Sequence, residues 1–209
     1  MRKAVNDLMD SDPPGRYVVT DFDNTAIVFD MEHQLLVWQI RNMAFAADPE
    51  LFGRALRTGL EGEYGDWYAD IENAYGHLWD AYGPFTGDML PETEIRRIRE
   101  DPWWREFAVK LRAFFALVNP NEGKSAVWIL CLFAGMTPDQ VYDLAYASHR
   151  YYSQVESARM EMSSEMEDTR LGIVECQWIS GISMTAGARD LWETLYGSGF
   201  AIWACSASG

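Results

Sequence analysis

Hydrophobic positions along this chain fall into two kinds of pattern. Near the start, "RYVVTDF" at 16–22 follows the breaker cluster "SDPPG" at 11–15; near the end, "FAIWACSAS" at 200–208 follows the glycines of "GSG". Short β-branched and aromatic runs behind turn residues predict two buried strands. Between them the apolar spacing is helical. "MEHQLLVWQIRNMAFAA" (31–47), "DPELFGRALRTG" (48–59), "EYGDWYADIENAYGHLWDAYG" (63–83) and "PETEIRRIREDPWWREFAVKLRAFFALVN" (91–119, broken before Pro102) predict helices. Asp48 before Pro49, and Thr137 before Pro138 and Gln140, are start signals, the second a capping box that opens "TPDQVYDLAYASHRYYSQV" (137–155). Residues 156–168, "ESARMEMSSEMED", are polar and acidic and predict an exposed connector or helix end. "RLGIVECQWI" (170–179) predicts an extended segment, and "TAGARDLWETLYGSG" (185–199) a capped helix ending in glycines.

The resulting order is strand, large helical region, helix, strand. Two strands joined through a helix predict a parallel pair with a right-handed crossover. In such sheets a ligand sits off the carboxyl ends of the strands. "DFDNT" at 21–25 and "SAS" at 206–208 are then expected side by side at one edge.

Composition narrows the classes. The 209 residues are 48% hydrophobic and carry nine Trp, enough for a buried core or a core with a second lobe. A net charge of −15 repels phosphate backbones, so nucleic acid is excluded as an expected partner. Acidity mainly confers solubility. Cys131, Cys176 and Cys205 form no C-x-x-C pair and are expected to be reduced, structural thiols. No apolar signal region and no 18-residue apolar run occur, so no membrane association is expected and the cytoplasm is the favoured compartment.

The chemistry concentrates in Asp21 and Asp23. On a continued strand they share a face, and two carboxylates in one site do not both ionise cheaply. A divalent cation resolves this, and Mg²⁺ commonly binds one or two carboxylates together with phosphate oxygens. Asp21 is then placed to attack phosphorus, while Asp23 protonates the leaving oxygen and later activates water. The Ser206 hydroxyl, ending the adjacent strand, is a candidate donor to a phosphoryl oxygen.

This arrangement resembles the haloacid dehalogenase-like (HAD) superfamily. Its first motif, a strand ending D-x-D-x-T, is matched by Asp21-Phe22-Asp23-Asn24-Thr25, and its second, a Ser ending the next core strand, by Ser206 in "IWACSAS". "SAS" looks most like the phosphoserine phosphatase-like branch. Within it, "LFAGMTPDQVYDLAYASHRYY" (132–152) and "AGARDLWETLYGSGFAIWACSAS" (186–208) are similar to bacterial phosphorylcholine phosphatases. The resemblance implies an α/β fold: a HAD-like Rossmannoid parallel sheet core, incomplete here, with a large inserted α-helical cap. The implied division is core at 1–29, cap at 30–175 and core again at 176–209. It further implies an aspartyl-phosphate on Asp21, acid/base work by Asp23, and Mg²⁺ held by the Asp21 side chain and the Asp23 carbonyl. Ser206, Thr25 and Asn24 surround the phosphate, with Thr25 bracing the loop. The partner is a small phosphorylated metabolite, such as phosphocholine or phosphoserine.

The family also needs a phosphate-binding Lys and a further acidic pair after the second motif, whereas this sequence ends at Gly209. Lys110 and Lys124 lie in the expected cap and take no such role. The isolated chain is therefore expected to turn over little or no phosphate ester. The alternative is a truncated or degenerate HAD-like protein acting as a non-catalytic binding module. Other residues read more plainly. Asp30 and Glu32 read as a solvated helix start, with reach into the site from the cap entrance as the competing reading. His33, His77 and His149 lack metal-site spacing. Trp67, Tyr68, Tyr75, Trp79, Tyr82, Trp103 and Trp104 read as the aromatic core of a helical lobe, with a cage for a quaternary ammonium as the competing reading.

Overall fold

The computed structural model describes residues 17–23, 25–60, 62–118 and 124–205, with the backbone alone for 124–127. Along the chain run β1 (Tyr17–Asp21), β2 (Ile27–Val28), α1 (Met31–Arg41), α2 (Pro49–Arg57), α3 (Gly65–Tyr82) and α4 (Glu92–Arg99). They are followed by α5 (Pro102–Val118), α6 (Lys124–Cys131), α7 (Pro138–Tyr152), β3 (Ala158–Ser163), β4 (Glu175–Ser180), β5 (Ser183–Met184), α8 (Ala186–Gly197) and β6 (Ala201–Cys205). The chain is thus mixed α/β.

Its strands form three two-stranded ladders among the described residues. β1 and β6 pair in parallel, from Tyr17 opposite Ala201 to Asp21 opposite Cys205. This is the pairing expected of the first and last apolar runs, and α8 supplies the crossover immediately before β6. The alternation of side chains puts Tyr17, Val19 and Asp21 on one face with Trp203 and Cys205, and all five are exposed, so these strands are not the buried ones that their apolar runs predict. β2 and β5 form a short antiparallel pair that ties the segment after Asp23 to the start of α8, with Thr185 N–H donating to Ala26 C=O at 3.1 Å.

The structure corrects two further expectations. The stretch 156–168 is neither connector nor helix end, because Ala158–Ser163 is a strand paired antiparallel with β4, Ala158 opposite Ser180. Its alternation of Met160 and Met162 with charged residues is a strand pattern that acidity obscured. β4 straddles the boundary expected at 176, and it pairs with β3 rather than with β1 or β6. The second correction is that the helix expected over 31–47 stops at Arg41. Asn42 caps it, Met43 takes φ 48°, and Gln39 Nε2 donates to both Ala44 C=O (3.1 Å) and Leu132 C=O (2.9 Å), so tertiary bonding pulls the chain out of the helix. The helix α6 lies where the apolar pattern predicts no element.

The helix starts were legible because capping is local. Asp48 accepts from Leu51 N–H, Thr185 from Ala188 N–H, and Thr137 and Gln140 form the complete capping box. The core is aromatic. Phe45, Phe52, Tyr75 and Phe107 are fully buried, Phe52 stacks on Tyr75 at 4.1 Å, and Tyr75 OH donates to Ala47 C=O at 2.6 Å. Trp67 and Tyr68 pack on Phe114, so the stripe of α3 lies against α5. Arg57 stands 4.6 Å over the Tyr68 ring and Arg97 5.5 Å over Tyr82. The aromatic set is therefore core, and the chain's own arginines cover two of its faces.

Lys110 forms a buried charge cluster with two carboxylates within this lobe. Lys110 Nζ lies 2.9 Å from Asp70 Oδ2 and 3.0 Å from Glu106 Oε2, and donates to Thr169 Oγ1 at 2.7 Å. The carboxylates also receive main-chain bonds from the β3–β4 loop. Glu165 and Met166 N–H donate to Glu106, and Arg170 and Leu171 N–H to Asp70. Burial pushes the Asp70 carboxyl up, but the Leu171 N–H, Lys110 and the Arg170 N–H outweigh it and hold it below its ordinary value.

Candidate active site

Asp21 is the last residue of β1, at the carboxyl edge of the parallel pair. The chain then turns tightly: Ala26 and Ile27 N–H both donate to Phe22 C=O, at 2.9 and 3.1 Å. This turn brings Thr25 back toward the strand end, where its hydroxyl donates to Asp21 Oδ2 at 2.5 Å. Thr25 thus braces the loop through the Asp21 carboxylate itself, leaving Oδ1 for other chemistry. Asp23 is buried beneath the turn, and its Oδ1 accepts from Met31 N–H, the first residue of α1, at 3.2 Å.

The start of α1 gathers further carboxylates. Asp30 is its N-cap, accepting from Glu32 and His33 N–H at 2.8 and 3.3 Å. Glu32 is expected at a solvated helix start. Here it is partly buried, and burial, Asp30 and Asp23, in that order, push its carboxyl above the ordinary range. Glu32 is therefore in electrical contact with Asp23, in line with the competing reading of that helix start. His33 is packed edge-on against Phe115 at 4.7 Å, and burial lowers its pKa against the opposing pull of Asp30. His77 stacks on Trp103 at 3.9 Å, far from a ligand-like role.

The structure bonds Thr25 to the Asp21 carboxylate and ties Asp23 to the start of α1. Asn24 and Ser206 lie outside the described residues; β6 ends at Cys205, opposite Asp21. The three cysteines are free thiols. The donor set fits Mg²⁺ in kind: a carboxylate with a free oxygen on Asp21 and hard oxygens on Asp23, where one or two carboxylates with phosphate oxygens suffice. Among the described residues no three His, Cys, Asp or Glu side chains group as a metal cage.

An apolar cavity of about 250 Å³ opens beside this site. Its walls include Met31, Glu32 and Leu35 of α1, Ser148 and His149 of α7, and Ile182 before β5. Among the described residues no helix is long and apolar enough to cross a membrane.

No family model and no curated protein sequence matches the chain. A solved structure does: a conserved functionally unknown protein from Anaerococcus prevotii DSM 20548, 22% identical, with a TM-score of 0.74 over 99% of this chain. The chain spans 60% of that protein's length, and the likeness is one of fold.

Proposed function

We propose that this chain carries the nucleophile-bearing part of a HAD-like, Mg²⁺-dependent phosphomonoesterase acting on a small phosphorylated alcohol or amine. The observation that supports it best is the strand-end pair: Asp21 at the carboxyl edge of a parallel ladder, bonded by Thr25, with Asp23 at the start of α1. In this reading Asp21 Oδ1 attacks phosphorus, forming the O–P bond as the bond to the alcohol oxygen breaks. Asp23 gives its proton to that departing oxygen. Water then attacks the phosphorus of the aspartyl-phosphate, losing a proton to Asp23 and releasing phosphate with the Asp21 carboxylate restored. Mg²⁺, held by the Asp21 side chain and the Asp23 carbonyl, would neutralise the phosphoryl oxygens. Thr25 bonds Asp21 Oδ2 and so fixes the carboxylate while Oδ1 attacks, and Oδ2 keeps a second lone pair with which the side chain would hold the metal.

A second reading, a non-catalytic HAD-like binding module, has its own support. Lys110, the lysine whose side chain is described, is buried between Asp70 and Glu106 and is not free to meet a phosphoryl group at Asp21. The experiment is an acid-quench trap for the aspartyl-phosphate with Mg²⁺ and a panel holding phosphocholine and phosphoserine. It is run on residues 1–209 and on any longer reading frame. Asp21→Asn is expected to abolish both trapped phosphate and turnover while leaving the circular dichroism unchanged. Turnover that survives Asp21→Asn excludes the covalent route, and a folded protein with no turnover in any frame favours the binding module.

A further inference from the structure

A second cavity, of about 410 Å³, lies in the helical lobe, and none of its lining residues builds the Asp21 site. Asp70 and Asn73 of α3, Trp103 at the start of α5 and Asp168, Thr169 and Arg170 of the β3–β4 loop line it. The size falls in the roughly 300–1,000 Å³ range of small-molecule sites. The loop wall is firmly held. Lys110 Nζ donates to Thr169 Oγ1 at 2.7 Å, the Thr169 hydroxyl turns to the Met166 and Gly172 carbonyls at 3.2 and 3.3 Å, and Arg170 and Leu171 N–H bond Asp70. Residues 168 and 170 therefore flank a pinned position, and the buried charge cluster supports a wall formed before any ligand arrives. The side chains left over are a mixed set. Asp168 and Asn73 are exposed, and their side chains make no hydrogen bond or ion pair among the described residues. Arg170 stands 3.7 Å from Asp66, beyond hydrogen-bond distance. Trp103 is partly buried and stacked on His77 at 3.9 Å, which fixes its ring.

We propose that this cavity binds a neutral sugar in its pyranose form, packed by its C–H face on Trp103 and held through its hydroxyls by Asn73, Asp168 and Arg170. The inference stands apart from the phosphomonoesterase reading. A pyranose carries a face of C–H bonds and a rim of hydroxyls, each of them both donor and acceptor. Out of water those hydroxyls need partners of both kinds, or each costs free energy. The cavity supplies both: Asp168 accepts, Arg170 donates, and the Asn73 amide does each. Trp103 supplies the flat apolar surface. Other ligand classes fit less well. A phosphate ester would face Asp168 and the ionised Asp70. A wholly apolar ligand would strip water from Asn73 and Asp168 without replacing it. An organic cation would meet the unpaired Asp168 but be repelled by Arg170, while Asp70 already faces Lys110.

The test is ligand-observed saturation-transfer NMR on the purified chain, with the methyl pyranosides of glucose, galactose and mannose as probes and agmatine as the cationic control. At least one pyranoside is expected to bind, with saturation strongest on its ring C–H protons, and agmatine is expected not to. Asn73→Ala weakens that binding about three- to tenfold, the worth of one hydrogen bond, and Asp168→Ala about tenfold or more, since its bonds are charge-assisted. Both side chains are exposed and unbonded within the protein, so neither change disturbs folding. Asp21→Asn binds the pyranoside as the parent does, so the sugar site and the phosphatase reading can fail separately. No pyranoside binding, agmatine binding as tight as any pyranoside's, or pyranoside binding indifferent to Asn73→Ala or to Asp168→Ala overturns the assignment.

Discussion

Replacing Lys110 by methionine is the sharpest test of how the helical lobe is held. The new side chain keeps most of the stem's packing and removes only the charge. Lys110 contacts Asp70 at 2.9 Å, Glu106 at 3.0 Å and Thr169 at 2.7 Å, and all three charged groups are at least nine-tenths buried. Removing one partner of a buried ion pair typically costs about 3–5 kcal/mol, because the other charge is left uncompensated. Two carboxylates are stranded here, which argues for the upper end. Four main-chain N–H donors from 165, 166, 170 and 171 remain on them, which argues for the lower. The balance is a loss of about 3 kcal/mol, a large share of the roughly 5–15 kcal/mol typical of a domain. With a urea slope of about 2 kcal/mol/M, the unfolding midpoint should fall by about 1.5 M, followed by tryptophan fluorescence. The triple variant Asp70→Asn, Glu106→Gln, Lys110→Met leaves no bare charge and should recover most of that loss. A Lys110→Met midpoint within about 0.3 M of the parent would refute the argument, since the β3–β4 loop would then be held by something other than this pair.

Two further outcomes follow from local geometry. Asp70 has its folded-state pKa lowered from 3.8, so the stability it contributes is present above about pH 4 and is lost as pH falls through the lowered value. Asp70→Asn should flatten that acid limb in a pH series of urea midpoints. Thr137→Ala removes half of the capping box at the start of α7 and should cost about 1 kcal/mol in the same assay, with Thr137→Ser recovering most of it.

What was legible in the sequence was local. β1 and β6 announced themselves as apolar runs behind breakers, and the three capped helices as side-chain oxygens placed three residues before the N–H they satisfy. The motif residues Asp21, Asp23 and Thr25 sit within five positions, so the turn that joins them is nearly dictated by chain connectivity. What stayed hidden depends on distance along the chain. Glu106 and Lys110 show as an i,i+4 pair, but nothing local pairs Lys110 with Asp70, forty residues away. β3 has no stable form without β4, and its charged residues drowned a period-two pattern. The cavity beside the Asp21 site is built from α1, α7 and the turn before β5, and α1 lies over a hundred residues from the other two, so no local pattern announces it.

The structure also answers why a strand should end in two acids beside a third at position 30. Each carboxylate meets a donor. Thr25 serves Asp21, and the amino end of α1 serves the others, through Met31 N–H for Asp23 and Glu32 and His33 N–H for Asp30. A helix amino end acts as about half a positive charge, and a hydroxyl supplies only a dipole. Glu32 adds a fourth acid nearby, its carboxyl raised by burial, Asp30 and Asp23. The helix amino end and the Thr25 hydroxyl are what let these acids sit close together. In the phosphomonoesterase reading, the Oδ1 side of Asp21, at the carboxyl edge of the parallel ladder, is where a divalent cation and a phosphate would arrive together, each offsetting the other's charge.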